Sequence, residues 1–361
     1  MYNKVIERGE LALNKAATPA NPDLPKTATG IQGLDQITGG GLPRGRPTLV
    51  CGGPGSGKTL LGLEFLVRGA QEFDEPGVLM SFEETAGDVI QNVAALGWDL
   101  QALIDQKKFL IDYVYLERSE IQETGEFDLE GLFIRLDLAI RAIGAKRVVL
   151  DTLETLFAGF THEGILRAEI RRLFRWLKEK GVTAVITGEP GHEQLTRYGL
   201  EEYISDCVIL LSQRMQNQLA TRRLQVLKYR GTAHGTNEFP FLINQSGLVI
   251  LPITSLGLDH AAPTERISSG IAALDEMLEG QGYYRGSNIL ISGTAGSGKS
   301  SMAAYFADAT CRRGESCLYL AFEESVSQII RNMGAIGLDL APWQAQNLLH
   351  FYTARPSQHG L

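Results

Sequence analysis

Two stretches of the chain have the residue types and spacing to grip a chain of phosphates, CGGPGSGKT at 51–59 and SGTAGSGKS at 292–300. Each fits GxxxxGK[ST], a glycine-rich turn between a buried strand and a helix, whose successive backbone N–H groups can wrap a triphosphate. In the first copy Gly52, Gly55 and Gly57 allow the backbone close to the phosphates, and Gly53 and Ser56 complete the binding loop. A helix starting near Lys58 adds a favourable dipole, Lys58 reaches the β and γ oxygens, and Thr59 offers its hydroxyl to Mg2+. Gly293, Gly296, Gly298, Lys299 and Ser300 repeat the pattern. A turn kept only for its shape needs neither the lysine nor the hydroxyl, and would not recur at the matching place.

Magnesium needs a second anchor, usually an Asp ending an apolar strand next to the loop strand. RVVLDT supplies Asp151 there, because a carboxylate at the carboxyl end of a parallel strand faces the ligand crevice. The plainer alternative is an N-cap for TLETLF. Cleaving the triphosphate also needs a group that orients and deprotonates water, and Glu83 and Glu84 end the run GVLMSFE. Adjacent carboxylates at a strand end face opposite ways, so one can address the γ-phosphate while the other does structural work. They could instead merely complement the dipole of the next helix. In LQVLKYRG, Lys228 and Arg230 are two apart on a strand and so share a face. A solvated edge strand guarded by charge is an equal reading of that segment.

The elements that must position these groups come from a tandem duplication. TGIQGLDQITGGGLPRGRPTLVCGGPGSGKT is echoed by SGIAALDEMLEGQGYYRGSNILISGTAGSGKS, VLMSFEET by LYLAFEES, and QNVAALGWDL by RNMGAIGLDL. Lys58 and Lys299 lie 241 positions apart and Glu83 and Glu323 lie 240 apart, so the period is a whole domain. In the first copy, apolar runs (PTLVCGG, GVLMSFE, FLIDYV, RVVLDT, VTAVITG) alternate with helices at 58–72, from Thr85, near 128–143 and near 163–180. That pattern predicts an α/β fold with a parallel sheet covered on both faces. Beyond residue 206, DCVILLS, RRLQVLKYRG and GLVILP read as an antiparallel extension at one edge. The expected organisation is a lead-in over 1–26, a first domain over 27–251, a linker over 252–265 and the start of a second domain over 266–361.

A net charge of −8 gives no long-range attraction for nucleic acid or an anionic membrane surface. Cys51, Cys207, Cys311 and Cys317 lack CxxC spacing and read as reduced, mostly buried thiols of a cytoplasmic protein. The first residues lack the apolar core of a signal peptide, and no apolar run approaches the length of a membrane span.

Together GLDQITGGGLPRGRPTLVCGGPGSGKT, EFDEPGVLMSFEET, GWDL, RYGLEEYISDCVILL and LKYRGTAH resemble the KaiC family of circadian-clock and clock-like ATPases, from about Thr29 to the last residue. The resemblance implies tandem P-loop NTPase domains of RecA-like fold in a double-ring hexamer, with ATP bound between subunits. Lys58 and Thr59 would grip ATP, Asp151 would serve Mg2+, and Glu83 and Glu84 would act on water. Lys228, Arg230 and His234 match the block whose residues in the family reach the ATP of the neighbouring subunit. A small KaiB-like protein docks on the family's first domain, and 115–127 is where such a contact is expected.

The second copy keeps Gly293, Lys299, Ser300, Glu323 and Glu324, whereas counterparts of Asp151 and Arg230 would fall near positions 391 and 470. It is therefore expected to touch nucleotide without cleaving it, as an incomplete domain whose sheet of about three strands has an open edge and needs capping. The family's Ser/Thr autokinase segment corresponds to positions beyond 361, so autokinase activity is an expectation for intact relatives. A RecA-like motor driven by nucleic acid and a nucleotide-held scaffold that never turns over are the competing readings. The acidic balance counts against the motor.

Overall fold

The computed structural model of the chain describes residues 24–115, 129–152, 154–155, 163–191, 205–216, 219–252 and 263–354. Two compact units result, one ending at Leu256 and the other starting at Gly257. In the first unit β1 (Lys26–Thr27) and β2 (Leu42–Pro43) form an antiparallel ribbon. A nine-stranded sheet follows, made of β3 (Pro47–Gly52), β4 (Gly77–Ser81), β5 (Phe109–Tyr113), β6 (Arg147–Asp151), β7 (Thr183–Gly188), β8 (Cys207–Gln216), β9 (Leu219–Tyr229), β10 (Glu238–Asn244) and β11 (Gly247–Ile250). Its order is β11-β10-β9-β8-β3-β7-β6-β4-β5. All neighbours from β8 to β5 are parallel, and β9, β10 and β11 add on antiparallel.

The short apolar runs become central strands because both faces are covered: every residue of β3, β4, β6 and β7 is buried. On one face Val50, Leu79, Val149 and Val185 meet Leu61, Phe65 and Leu66 of the helix Lys58–Glu72. On the other, Val78, Met80, Val148, Leu150 and Ile186 meet Leu132 and Leu136 of the helix Glu130–Ile143 and Ile170 and Phe174 of the helix Glu163–Lys180. The alternation within each strand assigns its residues to these two cores.

One expectation needs correction here, and two further elements had no counterpart in the expected pattern. The segment beyond residue 206 is not wholly antiparallel, since β8 runs parallel to β3, with Cys207 level with Thr48. EFPFLIN, whose Pro240 argues against an inner strand, is β10, paired on both sides by β9 and β11. A helix at Leu100–Asp105, capped by Asp99 accepting from the amide of Ala102, also went unread.

The second unit contains the antiparallel pair β12 (Arg266–Ile267) and β13 (Tyr283–Tyr284) and the parallel pair β14 (Cys317–Ala321) and β15 (Leu349–Thr353). Ala304, Ala307 and Cys311 of the helix Lys299–Arg312 pack with Ile329, Met333, Leu340 and Leu349. The expected strand before the second glycine loop is not formed, and Ile289 and Leu290 are exposed. Its counterpart β3 is held by hydrogen bonds from β7 and β8, while residues 288–293 pair with no strand among the described residues.

All four cysteines are free, three of them buried and Cys317 half-buried. Burial pushes the Cys207 thiol up to about 12. Among the described residues no helix is long and apolar enough to cross a membrane. Most of the lead-in (1–23), most of the linker (253–262) and all but Tyr115 of the expected partner contact lie outside the described residues.

Candidate functional site

The first glycine loop leaves the carboxyl end of β3. A Cβ at Gly52 would press on the Leu211 carbonyl of β8 at 2.7 Å, so the strand can turn here only without a side chain. Gly55 (φ 72°) and Gly57 (φ 100°) occupy left-handed conformations that favour glycine. Gly57 thereby caps the helix that Lys58 begins. Lys58 is buried, and its Nζ donates to the carbonyls of Gly52 (2.6 Å) and Gly53 (3.2 Å). The Oγ of Ser56 is buried and makes no hydrogen bond among the described residues.

Asp151 ends β6 and is 6% exposed. Its Oδ2 accepts from Thr59 Oγ1 at 2.9 Å, and its Oδ1 accepts from Thr187 Oγ1. Burial pushes its carboxyl above the usual range, the Thr187 and Thr59 hydroxyls pull it back, and the negative charge of Glu83 pushes it up again. The strand bearing Asp151 is not the neighbour of the loop strand, contrary to expectation: β7 lies between β3 and β6. The contact survives because the helix Lys58–Glu72 lies across β7, β6 and β4 and carries Thr59 over the intervening strand. Among the described residues no three His, Cys, Asp or Glu side chains form a cluster able to hold a metal. A hydroxyl beside one carboxylate is nevertheless the donor set suited to Mg2+, which is commonly held by one or two carboxylates together with substrate phosphates and water.

The paired carboxylates separate as the alternation requires. Glu83 Oε1 accepts from Thr152 Oγ1 (2.9 Å) and Thr155 Oγ1 (2.8 Å), both just beyond Asp151. Glu84 turns to the helix Ala86–Ala94, accepting from Asn92 Nδ2 at 3.2 Å, while its backbone closes a turn with the Ser81 hydroxyl. Ser81 stands level with Asp151 across β4 and β6. The loop, Asp151 and Glu83 thus gather at the carboxyl ends of β3, β4 and β6, where open α/β sheets bind ligands.

Lys228, Arg230 and His234 are not brought to this end. β9 runs antiparallel to β8, Tyr229 pairs with Cys207, and Cys207 is level with Thr48 near the start of β3. Gly52 stands four residues further along β3, which is about 13 Å at the usual rise per residue. The strand ends at Tyr229, so Arg230 is not on it with Lys228 but in the turn, followed by Gly231 at φ 81°. Arg230 is half exposed and lies 3.8 Å from Asp206, a buried carboxylate that also takes Lys178 at 2.5 Å and Arg46 at 3.7 Å. His234 sits against Tyr229, ring centroids 6.2 Å apart, and its Nε2 is buried without a hydrogen bond among the described residues.

The second unit repeats the loop geometry. Lys299 Nζ donates to the carbonyls of Gly293 and Thr294, both at 2.8 Å, and Gly296 (φ 78°) and Gly298 (φ 87°) match Gly55 and Gly57. Asn332 donates to Glu324 at 3.1 Å as Asn92 does to Glu84, whereas Glu323 has no Asp151 counterpart among the described residues.

Sequence reasoning missed Thr187, Thr152, Thr155, Asn92 and Asp206. Asn92 had a signal, since QNV and RNM recur at the same place in both copies. Thr187 had a fainter one, as a hydroxyl near the end of an apolar strand. Asp206 had none, because its three cations come from distant positions.

The family described as "ATPase: KaiC" matches residues 27–255 and 267–361. Among curated proteins, "Circadian clock protein KaiC2" of Synechocystis sp. is 63% identical over 336 residues, covering 93% of this chain and 59% of that protein. "Circadian clock oscillator protein KaiC" of Parathermosynechococcus lividus is 41% identical over 340 residues, covering 94% and 63%. Its namesake from Synechococcus elongatus is 39% identical over 338 residues, covering 93% and 65%. The chain spans about three fifths of the length of these relatives. With a mostly parallel, helix-covered sheet of RecA-like P-loop NTPase type and this match over most of its length, the chain belongs to the KaiC family of ATPases.

Proposed function

We propose that the first unit cleaves ATP to ADP and phosphate at a site shared between adjoining copies in a hexameric ring. Gly53, Gly55, Ser56, Gly57, Lys58 and Thr59 hold the triphosphate, Thr59 and Asp151 hold Mg2+, and Glu83 orients and deprotonates the attacking water. Glu84 is tied to Asn92 and supports the turn. When bound, Mg2+ neutralises charge developing on the phosphate oxygens. A neighbouring copy supplies Lys228, Arg230 and His234. The domain limits 27–251 and 266–361 are part of the same reading, in which the second loop, with Lys299 held as Lys58 is, also binds nucleotide.

The observation that carries this reading is the opposition of the two half-sites across one sheet. The phosphate loop lies at the carboxyl end of β3, and the cationic segment after β9 lies at the other end. No single copy can close both upon one triphosphate, while head-to-tail packing around a ring joins them at every interface. Arg230 is half exposed, so its guanidinium is open to the surface that an adjoining copy would present. The relatives are named as circadian clock proteins, and we extend that role here as a slow ATPase cycle read by a small KaiB-like partner as a timing or signalling switch.

An arginine supplied in trans is worth on the order of 10³ to 10⁵ in rate, or about 4 to 7 kcal/mol. Arg230→Ala should therefore keep ATP binding and lose hydrolysis by that factor. Undiminished turnover in that variant, or brisk turnover by a chain that stays monomeric in Mg·ATP, would refute the shared site. Stimulation of turnover by DNA would instead favour a nucleic-acid motor.

A further inference from the structure

We infer that Lys26 is a positioning residue for catalysis at the neighbouring copy's nucleotide, because it locks the loop bearing Arg230 and His234 onto the turn at residues 38–41. The inference rests on the shared-site reading above. Lys26 belongs to β1, which lies at the amino-terminal end of the parallel strands, where Thr27 Oγ1 is 3.0 Å from Thr183 Oγ1 at the start of β7. It is therefore remote from its own phosphate loop, and any effect on chemistry passes through the segment after β9.

An ammonium has three donors. Lys26 uses them on the carbonyl of Thr38 (2.7 Å), the carbonyl of Gly39 (2.9 Å) and Thr232 Oγ1 (3.1 Å). The same nitrogen sits 5.1 Å from the ring centroid of Tyr229. Tyr229 is buried and donates its hydroxyl to the Gly41 carbonyl at 2.8 Å; burial pushes its phenol upward, which preserves that donor. Gly41 has φ 116°, and a Cβ there would strike the Thr27 carbonyl, so this turn packs directly on β1. The loop is also tied at its two ends, by the Arg230 amide to the Asp206 carbonyl (2.8 Å) and the Gly235 amide to the Ile37 carbonyl (3.2 Å). Between those ends Thr232 meets Lys26, so one side chain joins loop, turn and last strand residue. Charge-assisted bonds of this kind are the strong ones. A trans group must arrive in a fixed place, since a displacement near 1 Å can cost about 10²-fold in rate.

The test is steady-state ATP hydrolysis by the full chain carrying Lys26→Met, Lys26→Arg or Thr232→Val. Thr232→Val removes the loop-side partner, with the hydroxyl's 3.3 Å bond to the Ala233 carbonyl, but leaves the Lys26 bonds to Thr38 and Gly39 in place, and it serves if Lys26→Met fails to fold. We expect Lys26→Met and Thr232→Val to lower kcat about tenfold or more with KM for ATP within about threefold, and Lys26→Arg to restore most of kcat. Lys26→Met mixed with Glu83→Gln should regain turnover above either alone, because some interfaces then pair an intact Glu83 with an intact Lys26. Unchanged kcat in both Lys26→Met and Thr232→Val overturns the assignment. So does failure of the Lys26→Met mixture when Arg230→Ala and Glu83→Gln do complement, and the shared site then stands. If the latter pair also fails to complement, the shared site itself is wrong and the role of Lys26 falls with it.

Discussion

Gly69→Ala sets two effects of opposite sign against each other. The substitution is in the helix Lys58–Glu72, where replacing Gly by Ala favours the helix by about 1 kcal/mol. The new Cβ would, however, stand 2.5 Å from both Cδ and Nε of Arg147, roughly 1 Å inside ordinary contact. Arg147 is fully buried and has little room to retreat. Its guanidinium donates to the carbonyls of Phe65 (2.8 Å) and Ala28 (2.8 Å) and to Glu75 (2.7 Å), with the rings of Phe65 and Phe73 at 4.5 and 5.1 Å. Overpacking costs about 1–3 kcal/mol, and losing one bond to a buried cation about 1.5–3 kcal/mol. Net destabilisation of about 2–5 kcal/mol should follow. Gly131→Ala, in the helix Glu130–Ile143 with nothing within 4 Å of its added Cβ, should instead stabilise by up to about 1 kcal/mol. The chain has two units, so a single transition is not assumed. Hydrogen exchange across β6 during urea unfolding reads the first unit alone. A Gly69→Ala chain that resists urea as well as its parent would refute the claim that Arg147 is immovable.

Two other outcomes can be measured directly. Glu83→Gln should lower ATP turnover about 10²-fold or more, while Glu84→Gln costs only a few-fold; equal losses in a phosphate-release assay would show that the two carboxylates do not divide their work. Glu64 is buried, accepts from the Leu248 amide at 2.7 Å, and has its carboxyl raised chiefly by burial, against the pull of that amide and Arg68. The folded state then binds the proton more tightly than the unfolded chain, so Glu64 contributes stability below the ordinary glutamate range and loses it as pH rises through the raised folded value. Glu64→Gln, which keeps an acceptor for Leu248, should gain on its parent in urea midpoint between about pH 4 and about pH 7; a gap that narrows over that interval would contradict the sign.

The sequence alone determined the features that local chemistry dictates. Gly52, Gly55 and Gly57 mark where backbone must turn without a side chain, Lys58 and Thr59 mark the phosphate chemistry, and continuous apolar runs between amphipathic segments require a sheet covered on both faces. The duplication was also legible, because identical local constraints leave identical residues at a fixed offset. Strand order was not, since it depends on which apolar edges meet after collapse, and the apolar runs look alike. Only the folded sheet placed β7 between β3 and β6, sent Thr187 to Asp151, and paired β10 despite Pro240. It also set Lys228 and Arg230 at the opposite end from Lys58, through the register of β8 and β9. Hydrogen-bond partners such as Lys26 and Thr232, or Asp206 and Lys178, lie far apart in the chain. Contacts that close long loops leave no periodic trace in sequence, because only the three-dimensional path of the backbone brings their ends together.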